Sequence, residues 1–206
     1  MAVGVLFVLT PTAGTRASAG NLVQNGDAEA GAVATGNDVV PPPGWSTTGA
    51  FTTARYGVNG FPTAPAGGGS ILFAGGPAQA LSTATQTVSV SASGAGIDAE
   101  RLRATLAALL GGWEGQEDSA TVQATFLDGS GGALGSMAVG PVTAADRGGE
   151  SALLPRSASA RVPSGTRSVR VVISSRRANG IYNDGYADNV SLTLGAAVPK
   201  PKPAWP

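Results

Sequence analysis

The chain has 206 residues, with 13 Lys+Arg against 13 Asp+Glu, no His and no Cys. The missing Cys and His exclude disulfide frameworks, thiolate zinc sites, Cys nucleophiles, Ser-His-Asp triads and His-based metal centres, and the balanced charge supplies no overall field for nucleic acid or an anionic membrane. With 42% hydrophobic and 13% charged residues, a packed core is within reach despite 31 Gly and 14 Pro, and the length suits one domain.

In chain order, residues 2–9 form an apolar run, and small residues follow to Ala17-Ser18-Ala19. This pattern predicts a secretory signal peptide over 1–19, although no Lys or Arg precedes the apolar run. A membrane-spanning helix needs ~20 apolar residues, and Pro11 interrupts this one early. The expected location is therefore secreted or extracellular, as for bacterial exported proteins that lack Cys, with no membrane span after signal removal.

Residues 20–195 carry recurring alternation of period two. The expected strands are 51–56, 70–74, 83–90, 121–126, 134–139, 157–162, 169–173 and 190–194, each bounded by Gly, Pro, Asn or Asp. Residues 97–111 contain strong helix formers, early acids and a terminal Gly. At period two, however, Leu102, Ala104, Leu106, Ala108 and Leu110 share a face. The expectation here is a short helical turn near 98–100 and then a strand. Eight or nine half-buried strands predict an all-β, two-sheet antiparallel jelly-roll β-sandwich. The final segment, 196–206, alternates Pro with other residues and predicts an extended polyproline-type tail.

Three stretches are more specific: an opening Asn21-Leu22-Val23-Gln24-Asn25-Gly26-Asp27-Ala28-Glu29-Ala30-Gly31, then Gly44-Trp45, then a closing Asp188-Asn189-Val190-Ser191-Leu192. Together they resemble the galactose-binding-like β-sandwich superfamily, in particular carbohydrate-binding modules of the xylanase-associated type and F-box-associated glycoprotein-binding domains. The resemblance spans about 21–194. It implies a glycan or glycoprotein partner and a structural Ca2+ held by Glu29 and Asp188, with loop carbonyls near 67–70 and Asp27 beside it. Calcium's demand for six to eight oxygens suits carboxylates and carbonyls; the same acids also suit plain turn positions.

The run Tyr182-Asn183-Asp184-Gly185-Tyr186 pairs two aromatics with polar groups. Such chemistry stacks on the C–H face of a sugar and bonds its hydroxyls; it equally fits a tight Asn-Asp-Gly turn with rings covering a sheet edge. Trp113 is followed by Glu114, Glu117 and Asp118, and is a candidate either for the glycan face or for the core; Trp45 is assigned to the core. Arg55 is a candidate ligand contact or a surface cation. Arg161, Arg167, Arg170, Arg176 and Arg177 read as one solvated sheet face without interleaved aromatics, which disfavours nucleic acid. Without His or Cys, catalysis would need a carboxylate pair. No spacing among Glu114, Glu117, Asp118 and Asp184 selects one, so no enzymatic activity is expected. The competing reading is an exported structural or adhesive domain without sugar binding.

Overall fold

The computed structural model describes residues 20–197. The signal peptide expected over 1–19 lies outside the described residues, as does all but the start of the tail expected over 196–206. The strands are β1 (Ser46–Thr48), β2 (Thr52–Arg55), β3 (Ile71–Ala74), β4 (Gly76–Pro77), β5 (Leu81–Ser89), β6 (Leu102–Gly112), β7 (Ser119–Leu127), β8 (Ala133–Val139), β9 (Ala152–Arg161), β10 (Ser168–Arg176), β11 (Tyr182–Asn183) and β12 (Tyr186–Ala196). One short helix, α1 (Gly94–Asp98), follows a 3-10 turn at Ser91–Ser93.

The chain is an antiparallel jelly-roll β-sandwich of two five-stranded sheets, ordered β1-β5-β10-β7-β8 and β2-β3-β12-β6-β9, with a small β11-β4 pair beside them. The period-two runs become strands because one parity enters the core. Ala104, Leu106 and Leu110 of β6 face Val122, Ala124 and Phe126 of β7, together with Val169, Val171 and Ile173 of β10. Trp45 is buried in this core, edge-on to Phe73 at 5.8 Å between ring centroids, and its indole N–H donates to the Asn25 carbonyl.

Burial resolves the ambiguous 97–111 segment. The helix ends at Asp98, and Glu100 then takes a left-handed φ of 55°. From Leu102 onward an extended chain gives its alternate leucines and alanines places between the sheets, which a helix would deny to half of them. The helical turn therefore lies a few residues earlier than expected. Strand β1 and the β4/β11 pair carry too little alternation to be read from sequence.

The arginine comb does not form one face. Arg161 lies in β9 of one sheet and Arg170 in β10 of the other, because β9 and β10 are joined by a crossing between layers. Arg167 is held at Asp98 through a 2.6 Å ion pair. The sandwich also runs one residue beyond the expected limit of 195: Ala196 pairs with Leu102, and Ala197 N–H donates to the Arg101 carbonyl.

The two ends of the described chain lie side by side. Leu22 N–H donates to Leu192 O at 2.9 Å, Val190 N–H to Gly26 O at 2.7 Å, and Asn21 Nδ2 to Val190 O at 3.0 Å. A β-bulge in β12 between Asp188 and Ser191 inserts an extra residue, with Asn189 at φ 49°. The bulge resets the alternation, so that Ala187, Val190 and Leu192 all enter the core.

Candidate functional site

The β2-β3-β12-β6-β9 sheet has a second apolar cluster on the face turned away from the main core. It joins Ala54, Tyr56, Leu72, Leu153 and Tyr186, with Phe61, Leu109, Trp113 and Tyr182 packed against it. The parity is visible in β2 and β3. Thr53 opposite Phe73 belongs to the inner face, so Ala54 opposite Leu72 belongs to the outer one. At one end of this face the loops around 36–37, 59–61, 113–116 and 180–182 rise to form an open cavity of about 480 Å³. Phe61, Trp113, Tyr182 and Tyr186 supply its aromatic surface, and Asn37, Asn59, Gln116 and Asp184 its polar groups. Phe61 is the hub of the rings, 5.4 Å from Tyr186 and 5.8 Å from Tyr182 between centroids.

Two buried groups fix the cavity wall. Asp118 is fully buried, and its Oδ1 accepts from the backbone of Ala178 (2.7 Å) and Asn179 (2.8 Å), while Oδ2 accepts from Asp184 N–H (2.9 Å). The Arg147 guanidinium donates to the carbonyls of Glu114, Gln116 and Glu150, which ties down the turn carrying Trp113 and Gln116. Gly112 is required beneath that turn, since a Cβ there would stand 2.6 Å from the Asp118 carbonyl oxygen and 3.0 Å from the Arg147 guanidinium. Asp184 accepts a 2.5 Å hydrogen bond from the Tyr186 hydroxyl. Burial, with the nearby Asp118 charge, pushes the Asp184 carboxyl up to about 6 despite that bond. Burial and the Asp184 charge push the Tyr182 and Tyr186 hydroxyls well above the usual phenol range.

Of the residues nominated from sequence, Trp113, Tyr182, Asp184 and Tyr186 line this one cavity. Asn183 does not. Its side chain is fully buried and donates to Ser175 O and Gln79 O, while its Oδ1 accepts from Gly185 N–H. It serves as an internal brace, because β11 alternation turns it away from the cavity side that Tyr182 occupies. Arg55 is exposed on the rim of a smaller neighbouring cavity, with Phe61 and Tyr182 between the two. The 182–186 run is not a tight turn: β11 passes through Asp184-Gly185 straight into β12. Phe61, Asn37, Asn59, Gln116 and Arg147 were missed. They sit in Gly-, Asn- and Ala-rich loops that signal only turns.

At the other nominated site, Glu29 Oε1 accepts from Ser70 N–H (2.6 Å) and Ile71 N–H (2.8 Å), which anchors the opening segment to β3. Gly69, at φ +65°, makes this possible, because a Cβ there would lie 2.3 Å from Glu29 Oε1. Asp188 is fully buried and accepts from the Tyr56 hydroxyl (2.8 Å) and from Asn189 N–H (2.6 Å). Burial first, and then the negative charges of Glu29 and Asp27, push its carboxyl up to about 7. Burial and the Asp188 charge drive the Tyr56 hydroxyl upward as well. Neither Glu29 nor Asp188 is ion-paired with a basic side chain among the described residues. The surplus negative charge and the uncommitted Glu29 Oε2 fit a divalent cation. Among the described residues, however, no three Asp or Glu side chains cluster in metal-ligating fashion, so carbonyls and water would have to complete a calcium's shell.

Fold and cavity together define a β-sandwich with an aromatic, carboxylate-bearing pocket at one end of a sheet face. No protein-family model and no curated protein sequence matches the chain. Similar solved structures include the carbohydrate-binding module TmCBM61 in complex with β-1,4-galactotriose, at TM-score 0.45 and 14% identity over 86% of this chain and 99% of that one. The C-terminal family 22 carbohydrate-binding module of Clostridium thermocellum Xyn10B is similar at TM-score 0.44 and 13% identity, over 92% and 100%. The enzymatically active domain of bacteriophage CBA120 tailspike protein 4 is similar at TM-score 0.47 and 18% identity over 86% of this chain, which spans only 21% of that one. Among the described residues no helix is long and apolar enough to cross a membrane.

Proposed function

We propose that this chain is a secreted, non-catalytic glycan-binding module whose ligand enters the cavity formed by Phe61, Trp113, Tyr182, Asp184 and Tyr186. The observation that carries this reading is the convergence of four aromatic rings with Asn37, Asn59, Gln116 and Asp184 around about 480 Å³ of open space. The rings offer stacking faces for pyranose C–H groups, and the amides and carboxylate match hydroxyls. Asp184 is the one acid lining this cavity, and its neighbour Asp118 has both oxygens committed to backbone N–H groups. A two-carboxylate hydrolytic mechanism therefore has no second member here. Glu29 and Asp188 would hold a structural Ca2+, which would offset their mutual repulsion and bind the opening segment to the closing strand. The glycan reading is tested by screening the full chain on a glycan array beside Trp113→Ala. Trp113 is only half-buried, so its loss should abolish glycan signal while the melting temperature stays within about 3 °C. A wild-type chain that binds no glycan, or a variant that binds as well as wild type, would refute it.

A further inference from the structure

The charge balance of the cavity points to a narrower ligand class, an inference that rests on the glycan reading above. Asp184 is the sole charged side chain lining the cavity. One of its oxygens accepts a hydrogen bond from the Tyr186 hydroxyl; among the described residues no protein donor reaches the other. Gln116 also lines the cavity, and its Oε1 is buried without a partner. The cavity therefore carries a formal negative charge and no lining cation to balance it.

Nearby cations do not correct this. Arg147 does not line the cavity, and its guanidinium is committed to the carbonyls of Glu114, Gln116 and Glu150. Arg177 is bound to the Ile181 carbonyl at the rim. The other charge acting on Asp184 is acidic, that of Asp118 behind it. The electron-rich faces of Trp113 and Tyr182 add attraction for a cation.

We propose that this cavity selects glycans carrying a free amine, with Asp184 as counter-ion, and disfavours acidic ones. A protonated sugar amine brings a positive charge and charge-assisted donors to a carboxylate that no lining cation balances. A neutral hydroxyl brings one donor, and a uronate carboxylate brings repulsion and further acceptors. Asp184 would then be the specificity-determining residue.

The test is calorimetric titration of the full chain at about pH 6 with four probes: a β-1,4-linked glucosamine tetramer, its N-acetylated counterpart, a neutral xylose tetramer and a galacturonate tetramer. The amine tetramer should bind about five- to tenfold more tightly than the acetylated one, and the galacturonate tetramer should not bind. Raising the salt to about 0.5 M should erase the amine's advantage. Asp184→Asn should bring the aminated and acetylated ligands to within about twofold of each other. If that variant does not fold, the salt dependence of the wild type decides the matter. An amine advantage that is absent, insensitive to salt, or retained in Asp184→Asn overturns the inference. If neutral glycans bind without amine preference, the inference falls and the glycan reading stands. If neither neutral nor aminated glycans bind, both fall.

Discussion

Removing the Asp118 carboxylate by Asp118→Ala should loosen the cavity wall and destabilise the fold together. The carboxylate gathers three backbone N–H groups at 2.7, 2.8 and 2.9 Å from a fully buried position. Ala178 and Asn179 are exposed residues, so water replaces the lost acceptor at their amides, at a net cost of about 0.5–1 kcal/mol each. The Asp184 N–H is more enclosed, and leaving it unpaired costs about 1–3 kcal/mol. The sum is about 3 kcal/mol, equivalent to a fall of roughly 6–12 °C in Tm for a domain of this size. Thermal unfolding followed by circular dichroism measures it. A second readout is glycan affinity well below Tm, which should drop because the 178–184 segment carries Tyr182 and Asp184. Asp118→Asn should fall between, since its amide keeps an acceptor for one side and turns a donor toward the other. A Tm within about 2 °C of wild type for Asp118→Ala would show that these bonds do not organise the wall.

Three further outcomes follow from the same geometry. Because burial raises the Asp184 carboxyl to about 6 in the folded state, the native chain holds that proton more tightly than the unfolded chain does. The contribution is full below about pH 4 and is lost as pH rises through about 6. Wild type should therefore lose Tm relative to Asp184→Asn across that window in unfolding scans, and a constant difference would contradict the assignment. Gly69→Ala places a Cβ 2.3 Å from Glu29 Oε1 at φ +65°, whereas Gly57→Ala, at φ +69°, meets nothing within 4 Å. Both incur the left-handed backbone cost of about 1 kcal/mol, so the excess loss of Tm in Gly69→Ala isolates the Glu29 anchor, and equal losses would dismiss it. A chelator should lower Tm by several degrees if calcium binds at Glu29 and Asp188, with calcium restoring it; Glu29→Gln should abolish that response, and a chelator-insensitive Tm would remove the metal.

The sandwich was legible in the sequence because its strands are amphipathic at period two. TATQTVSV at 83–90 and the alternate leucines of 102–110 state which side is buried. The helical composition of 97–111 is overridden by tertiary burial, so propensity alone could not place the end of α1. The meeting of the opening segment with the closing strand was readable only through the resemblance of their motifs, which lie more than 150 residues apart. The cavity was half legible. Its aromatic and acidic members in 182–186 stand out chemically, yet the Asn183 amide is turned inward by strand alternation. Phe61, Gln116, Asn37 and Asn59 come from separate loops whose meeting depends on the fold. Arg147 gives no sign of burial in a run of Ala, Asp and Gly, since its partners are backbone carbonyls and carry no sequence identity.

Strand β12 starts at Tyr186, on the cavity floor, and ends at Ala196, a span of about 30 Å at ordinary strand rise. The opening segment is stitched to the middle of that strand, at Val190 and Leu192. A fluorophore attached at Ala196 would thus emerge remote from the ligand mouth. Coupling through a cysteine introduced at the exposed Ala196, in a chain that has none of its own, should present the pocket outward on a sensor chip.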